Sequence, residues 1–152
     1  MSVPIVTKVG VLIEDKGRLL LIKEKKTAKS PYKFNIVKGT FDSADKNFET
    51  TAVRESLEEA GADIKIKRFF NAFVVKRARQ TTIQLNFLAS FKGHQLLLRN
   101  KKIKDEYISD SRFFDKVQIK QLQRKDFINK RAYESVQHWL QKTRYSRKAT
   151  PN

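Results

Sequence analysis

Three glutamates, Glu55, Glu58 and Glu59, crowd into five positions directly after Arg54. At about 100° per residue they fall within an arc of roughly 100° on one side of a helix. Carboxylates packed that closely repel one another, and either water or cations must offset the repulsion. In an ordinary amphipathic helix the group is a solvated acidic face. This chain, however, carries 33 Lys+Arg against 16 Asp+Glu. A cluster of acid in so basic a chain suggests a site for something more positive than lysine. Hard divalent cations such as Mg2+ or Mn2+ bind carboxylate oxygens and bridge them to phosphate oxygens.

The element that must position these carboxylates is a helix over residues 47–60. Gly61 is its stop, because glycine takes the left-handed cap conformation at little cost. Val53, Leu57 and Ala60 fall on the face opposite the glutamates and are expected to pack inward. Upstream, Phe34–Val37 reads as a short strand that delivers Lys38 and Gly39 to the approach of the helix. A glycine there lets backbone come close to a ligand or metal.

The stretch from Gly39 to Ala62 resembles the Nudix box, G-x5-E-x7-R-E-U-x-E-E-x-G-U, where U is a bulky aliphatic residue. Arg54, Glu55, Glu58, Glu59 and Gly61 match in register, and Gly39 matches the opening glycine with one extra residue in between. Phe34 to Gly39 looks like the aromatic-led strand that enters the box. There are departures. The loop glutamate is missing: Asp45 stands at its place counted from Gly39, and Lys46 at its place counted back from Arg54. Ser56 replaces an aliphatic residue, and Ala62 is smaller than usual.

The resemblance implies an α/β fold, an α/β/α sandwich around a mixed sheet, spanning about residues 3–142. It implies Mg2+- or Mn2+-dependent hydrolysis of a nucleoside diphosphate linked to another group. By position, Glu58 and Glu59 would be metal ligands, and Glu55 a further ligand or the base that deprotonates water. Arg54 would orient the glutamates, and Gly39 would lend backbone to the metal site. Lys38 and Phe34 would contact substrate. Glu106, with Asp105 beside it, would be an accessory acid at the metal.

The rest of the chain supports such a fold. Residues 5–14 and 19–23 read as strands joined at a turn over 15–18. Residues 25–33 are a basic, proline-containing loop whose lysines meet either phosphate or water. Residues 64–76 and 81–91 read as strands around a turn at 77–80. Phe69, Phe70, Phe73, Phe87 and Phe91 are expected mainly in the core. Residues 92–104 read as a basic loop, with His94 a surface residue. A short helix is expected over 117–123 and a closing helix over 130–142, with Ala132, Val136, Trp139 and Leu140 inward.

A length of 152 residues fits one domain, here residues 1–142, followed by a basic, flexible tail over 143–152. The absence of cysteine excludes disulfides and thiol chemistry. No stretch has the composition of a membrane span or a signal peptide, so a cytoplasmic protein is expected. The net charge of +17 draws polyanions, nucleotide and RNA alike. Three functions fit: a nucleotide pyrophosphohydrolase, an enzyme trimming RNA 5′ phosphates, and a non-catalytic Nudix module binding a nucleotide or a protein. A homodimer is compatible with the chain, but no interface signature marks one.

Overall fold

Lys16 and Gly17 both take positive φ, 50° and 76°. Two such residues in succession make the turn whose twist matches that of paired strands. They join β1 (Ile5–Asp15) to β2 (Arg18–Lys25). Arg18 Nη2 closes the turn on Asp15 Oδ2 at 2.8 Å. The fold is that of a computed structural model, which describes residues 2–93, 102–103 and 106–148.

Among the described residues β1 and β2 pair only beside this turn, Glu14 with Leu19 and Asp15 with Arg18. Beyond it they part. Two short strands take up the freed edges: β3 (Lys33–Asn35) beside β2, and β4 (Val37–Thr40) beside β1. The sequence predicts one strand over 34–37, but the chain breaks at Ile36 and changes partner. Asn35 explains the break. Its Oδ1 accepts the Ile36 N–H at 2.8 Å, and its Nδ2 donates to the buried Glu24 at 2.6 Å. A side chain that takes over a backbone bond competes with the strand ladder and ends it.

The remaining elements are α1 (Phe48–Ala60), β5 (Ile64–Lys76), β6 (Thr81–Phe91), β7 (Lys102–Ile103), β8 (Glu106–Phe114), α2 (Lys116–Lys120), a 3-10 turn (Arg124–Asp126) and α3 (Lys130–Lys148). The sheet runs β5-β6-β1-β2-β8-β7. β6 lies parallel to β1, from Ile5 opposite Thr81 to Glu14 opposite Ser90, and the other pairs are antiparallel.

Strand alternation sorts the apolar residues onto two faces. Val9, Val11, Ile13, Leu20, Ile22 and Val37 meet Ala52 and Ala60 of α1. Leu12, Leu19, Leu21 and Leu88 face the other way, onto Ile119 of α2 and Ala132, Val136 and Trp139 of α3. Fully burying an aliphatic or aromatic side chain contributes about 1.5–3 kcal/mol, so both faces are driven shut. The outcome is the expected α/β/α sandwich around a mixed sheet.

Two later elements differ from expectation. The short helix covers Lys116–Lys120 rather than 117–123, because Asp115 and Gln118 cap each other at its start. The closing helix runs on to Lys148, into the stretch expected to be a flexible tail. No glycine or proline stands between Lys130 and Thr150 to stop it. His94 and Asp105 lie outside the described residues, as does most of the basic loop at 92–104. No helix among the described residues is long and apolar enough to cross a membrane.

Candidate active site

Helix α1 starts at Asn47, whose Oδ1 accepts the Thr50 N–H at 2.8 Å. It stops at Gly61, φ 60°, whose N–H turns back to the Leu57 and Ser56 carbonyls. These are the ends the sequence predicts. The buried face is not. Thr51, Ala52, Glu55, Ser56, Glu59 and Ala60 point inward, whereas Val53 and Leu57 stand 41% and 60% exposed. Of the expected apolar face, Ala60 alone is inside. The cause is what α1 packs on. Where β1 and β2 part, the helix meets the backbone of β4, and small or hydrogen-bonding side chains let it come close.

Gly39 shows how close. A Cβ built on it would overlap the Glu55 carboxyl group, so any other residue would displace that carboxylate. One position earlier, the Lys38 N–H donates to Glu59 Oε1 at 2.9 Å. Two glutamates of the helix are thus seated against β4, both almost fully buried. Glu58, on the outer side, keeps 40% of its side chain exposed.

Arg54 joins the group. Its Nη1 donates to Glu55 Oε1 at 2.8 Å and to Glu58 Oε2 at 3.4 Å. Its Nε and Nη2 grip Asp45 through both carboxylate oxygens, at 3.0 and 2.8 Å. Asp45 Oδ2 also accepts the Asp42 N–H at 3.0 Å and the Thr51 hydroxyl at 2.9 Å. Arg54 first, then the Asp42 amide, hold the Asp45 carboxyl well below the usual carboxylate range. Asp45 in turn raises the Arg54 guanidinium above its ordinary value. By sequence the loop glutamate is missing. Asp45 holds Arg54 through both carboxylate oxygens, and counted from Gly39 the extra residue then falls between Asp45 and Arg54. The signal was available: counted forward from Gly39, an acid does stand at that place.

Among the described residues no three acidic, histidine or cysteine side chains come together as a ready metal cluster. Arg54 supplies the positive charge at Glu55 and Glu58. The donors still fit a hard divalent ion. They are all carboxylate oxygens, they outnumber the guanidinium that holds them, and one lies against a side-chain-free backbone position.

On the other face of β4, Lys38 is half-buried. Desolvation, joined by Arg131 and Lys8, lowers its pKa, against the raising influence of Glu24 and Glu59. Phe34 lies away from the carboxylates. Its ring meets Phe114 edge-on at 5.2 Å and Phe127 at 6.4 Å, against the α3 core. Glu106 opens β8 opposite Ile103, and its side chain lies outside the described residues. The loop before β3 borders a cavity of about 200 Å³ lined by Lys26, Ser30, Pro31, Lys33 and Ile128.

The model of the NUDIX domain family matches residues 4–136. The chain belongs to that family. A NUDIX hydrolase from Nitrosomonas europaea shares the fold at TM-score 0.72 and 17% identity, over 90% of this chain and 88% of that one. So does a MutT NUDIX hydrolase from Burkholderia pseudomallei, at TM-score 0.66 and 18% identity, over 88% of this chain and 97% of that one. An ADP-ribose pyrophosphatase from Streptococcus suis matches at TM-score 0.63 and 19% identity, over 91% and 92%. No curated protein sequence matches the chain.

Proposed function

We propose that this protein is a divalent-metal-dependent pyrophosphohydrolase acting on nucleoside diphosphates linked to a second group. The observation that carries the reading is the seating of Glu55 and Glu59 against β4 in a chain of this family, with Arg54 and Asp45 bracing them. Glu58 and Glu59 would hold Mg2+ or Mn2+, with Glu55 as a further ligand or as base, Gly39 lending backbone and Glu106 accessory. Such an ion, when bound, would supply charge neutralisation at the diphosphate and a more acidic water. Arg54 fixes the direction of Glu55 and Glu58 through charge-assisted hydrogen bonds. Asp45 keeps Arg54 in place and stays ionised at working pH. Lys38 would offset phosphate charge from the far side of β4, whereas the Phe34 ring is taken up by its packing on Phe114 and Phe127.

Asp45, as partner of Arg54, supports a hydrolase over a module that binds without turnover. RNA carrying 5′ phosphates remains in the substrate class on the strength of the net charge of +17. The test is phosphate release from nucleoside triphosphates, an oxidised guanine triphosphate, dinucleoside polyphosphates, ADP-ribose and 5′-triphosphorylated RNA, with Mg2+ and then Mn2+. Turnover should require the metal and fall by about 10²-fold or more in Glu59→Gln, with the fold retained by circular dichroism. Metal-dependent activity surviving in that variant would overturn the assignment.

A further inference from the structure

β1, β4 and β6 place a group of cations on the sheet face under α3. Lys8 stands opposite Thr40 of β4 and opposite Gln84 of β6, and Lys38 stands opposite Gly10. Val9 and Val37 belong to the α1 core, so alternation turns Lys8 and Lys38 to the other face. Lys8 Nζ donates to Thr40 Oγ1 at 2.5 Å. Arg131, in the first turn of α3, reaches the same face through Gln84, its Nε donating to Oε1 at 3.1 Å.

Five other cations among the described residues are paired with acid. Arg18, Arg54, Lys67, Lys130 and Lys142 each hold a carboxylate. Lys8, Lys38 and Arg131 form no ion pair among the described residues, and all three are half-buried rather than free in water. Glu24 is the acid that acts most strongly on Lys38, with Glu59 behind it, and the neutral Asn35 amide holds Glu24 in place without cancelling its charge. Arg77 adds further like charge at Arg131. Half-buried cations facing one another are unfavourable unless an anion joins them.

We propose that Lys8, Lys38 and Arg131 form a phosphate-binding subsite, with Thr40 and Gln84 positioning two of its cations. It rests on the hydrolase reading for what it implies about substrate. Lys38 and Gly39 are neighbours on β4 and point to opposite faces, so the subsite adjoins the carboxylates around one strand. A substrate that reaches both carries phosphate beyond the cleaved linkage: a nucleoside triphosphate or dinucleoside polyphosphate, in preference to ADP-ribose.

Binding of inorganic tripolyphosphate to the intact chain in EDTA, followed by calorimetry at fixed ionic strength, tests the subsite without hydrolysis. Arg131→Ala and Lys8→Ala should each weaken it about tenfold, and Arg131→Lys less. Lys125→Ala, an exposed charge control in the 3-10 turn, should change it less than about twofold. Unchanged affinity in Arg131→Ala and Lys8→Ala, in protein shown to be folded by thermal melting, would overturn the subsite. So would an equal loss in Lys125→Ala. The substrate class is read separately, from the ratio of KM for a nucleoside triphosphate to KM for ADP-ribose. Arg131→Ala should raise that ratio, and an unchanged ratio would overturn the preference. Failure of the hydrolase reading would show instead as absent metal-dependent turnover, with tripolyphosphate binding intact.

Discussion

Glu14 gathers three donors around one carboxylate, and Arg54 gathers three carboxylates around one guanidinium. Glu14 accepts from Trp139 Nε1 at 2.6 Å, Lys142 Nζ at 2.8 Å and Lys67 Nζ at 2.9 Å. Those donors come from α3 and β5, far along the chain, so the bonds tie β1, β5 and α3 together. Burial raises the Glu14 pKa, but the three donors outweigh it and the net direction is down. The partners of Arg54 are local: Asp45, Glu55 and Glu58 lie within nine residues of it. They fix the shape of one loop and one helix, and the farthest reach of Arg54 is to the Thr40 carbonyl of β4 at 3.5 Å. The charge balance is opposite too. At Glu14 cations exceed acid, whereas at Arg54 acid exceeds cation. A carboxylate ringed by donors serves as a staple, whereas the carboxylates at Arg54 outnumber the one guanidinium that joins them.

Removing the hub of the second group breaks the comparison most severely. Arg54→Ala leaves Asp45 and Glu55 buried without their guanidinium and frees Glu58. Turnover should fall about 10–100-fold, the usual effect of losing a residue that orients metal ligands, and half-saturation by Mg2+ should move to higher concentration. Stability should drop by about 1–3 kcal/mol, less than for a fully buried pair because Arg54 is partly exposed. Arg54→Lys should restore little, since a lysine cannot grip Asp45 through two bonds. Kinetics at varied Mg2+ beside thermal melting would check this. A value of kcat/KM within about twofold of the parent chain would make Arg54 a purely structural residue.

How much of this was legible follows from distance along the chain. The carboxylate spacing, the Gly61 stop and the bounds of β5 and β6 are local, and the residues state them directly. The face of α1 is not local. Periodicity assumes that the apolar side goes in, and Val53 and Leu57 say the opposite of what β4 demands. β4 arrives as bare backbone in the gap between β1 and β2, and only Ala52, Ser56 and Ala60 are small enough to let the helix settle there. That gap depends on Asn35 ending β3, which no propensity reveals. Lys8 and Arg131 are almost the length of the chain apart, and only the parallel pairing of β1 with β6, and Gln84 between them, brings them to one face.

Glu14→Gln tests the staple. The carboxylate charge goes while the shape stays, so Lys67 and Lys142 lose their partner. The expected cost is about 1–2 kcal/mol, or roughly 2–6 °C in Tm for a chain of this size. Activity per folded molecule should not change, which separates this group from the one at Arg54. The effect also has a sign in pH. The folded Glu14 pKa lies below the ordinary 4.5, so its contribution is whole above that value and is lost as pH falls through the folded pKa. The stability gap between parent and variant should therefore be flat around neutrality and close in acid. A gap that widened in acid would mean that Glu14 is not held as an anion.

Ser56→Ala is the smallest change and sharpens the comparison from inside α1. Ser56 Oγ is fully buried and has no hydrogen-bond partner among the described residues, unlike the neighbouring Glu55 and Glu59. It stands where the Nudix pattern has an aliphatic side chain. Removing an unpaired buried hydroxyl relieves its desolvation, and alanine is the better helix former, so the variant should gain roughly 0.5–1.5 kcal/mol. Thermal melting would read a rise of a few degrees, with turnover unchanged. A loss of stability would show that the hydroxyl is engaged in solution and that polarity on this face serves the fold. The expected gain would show that the inward face of α1 is polar for the sake of its carboxylates and their arginine, with Ser56 tolerated because it is small.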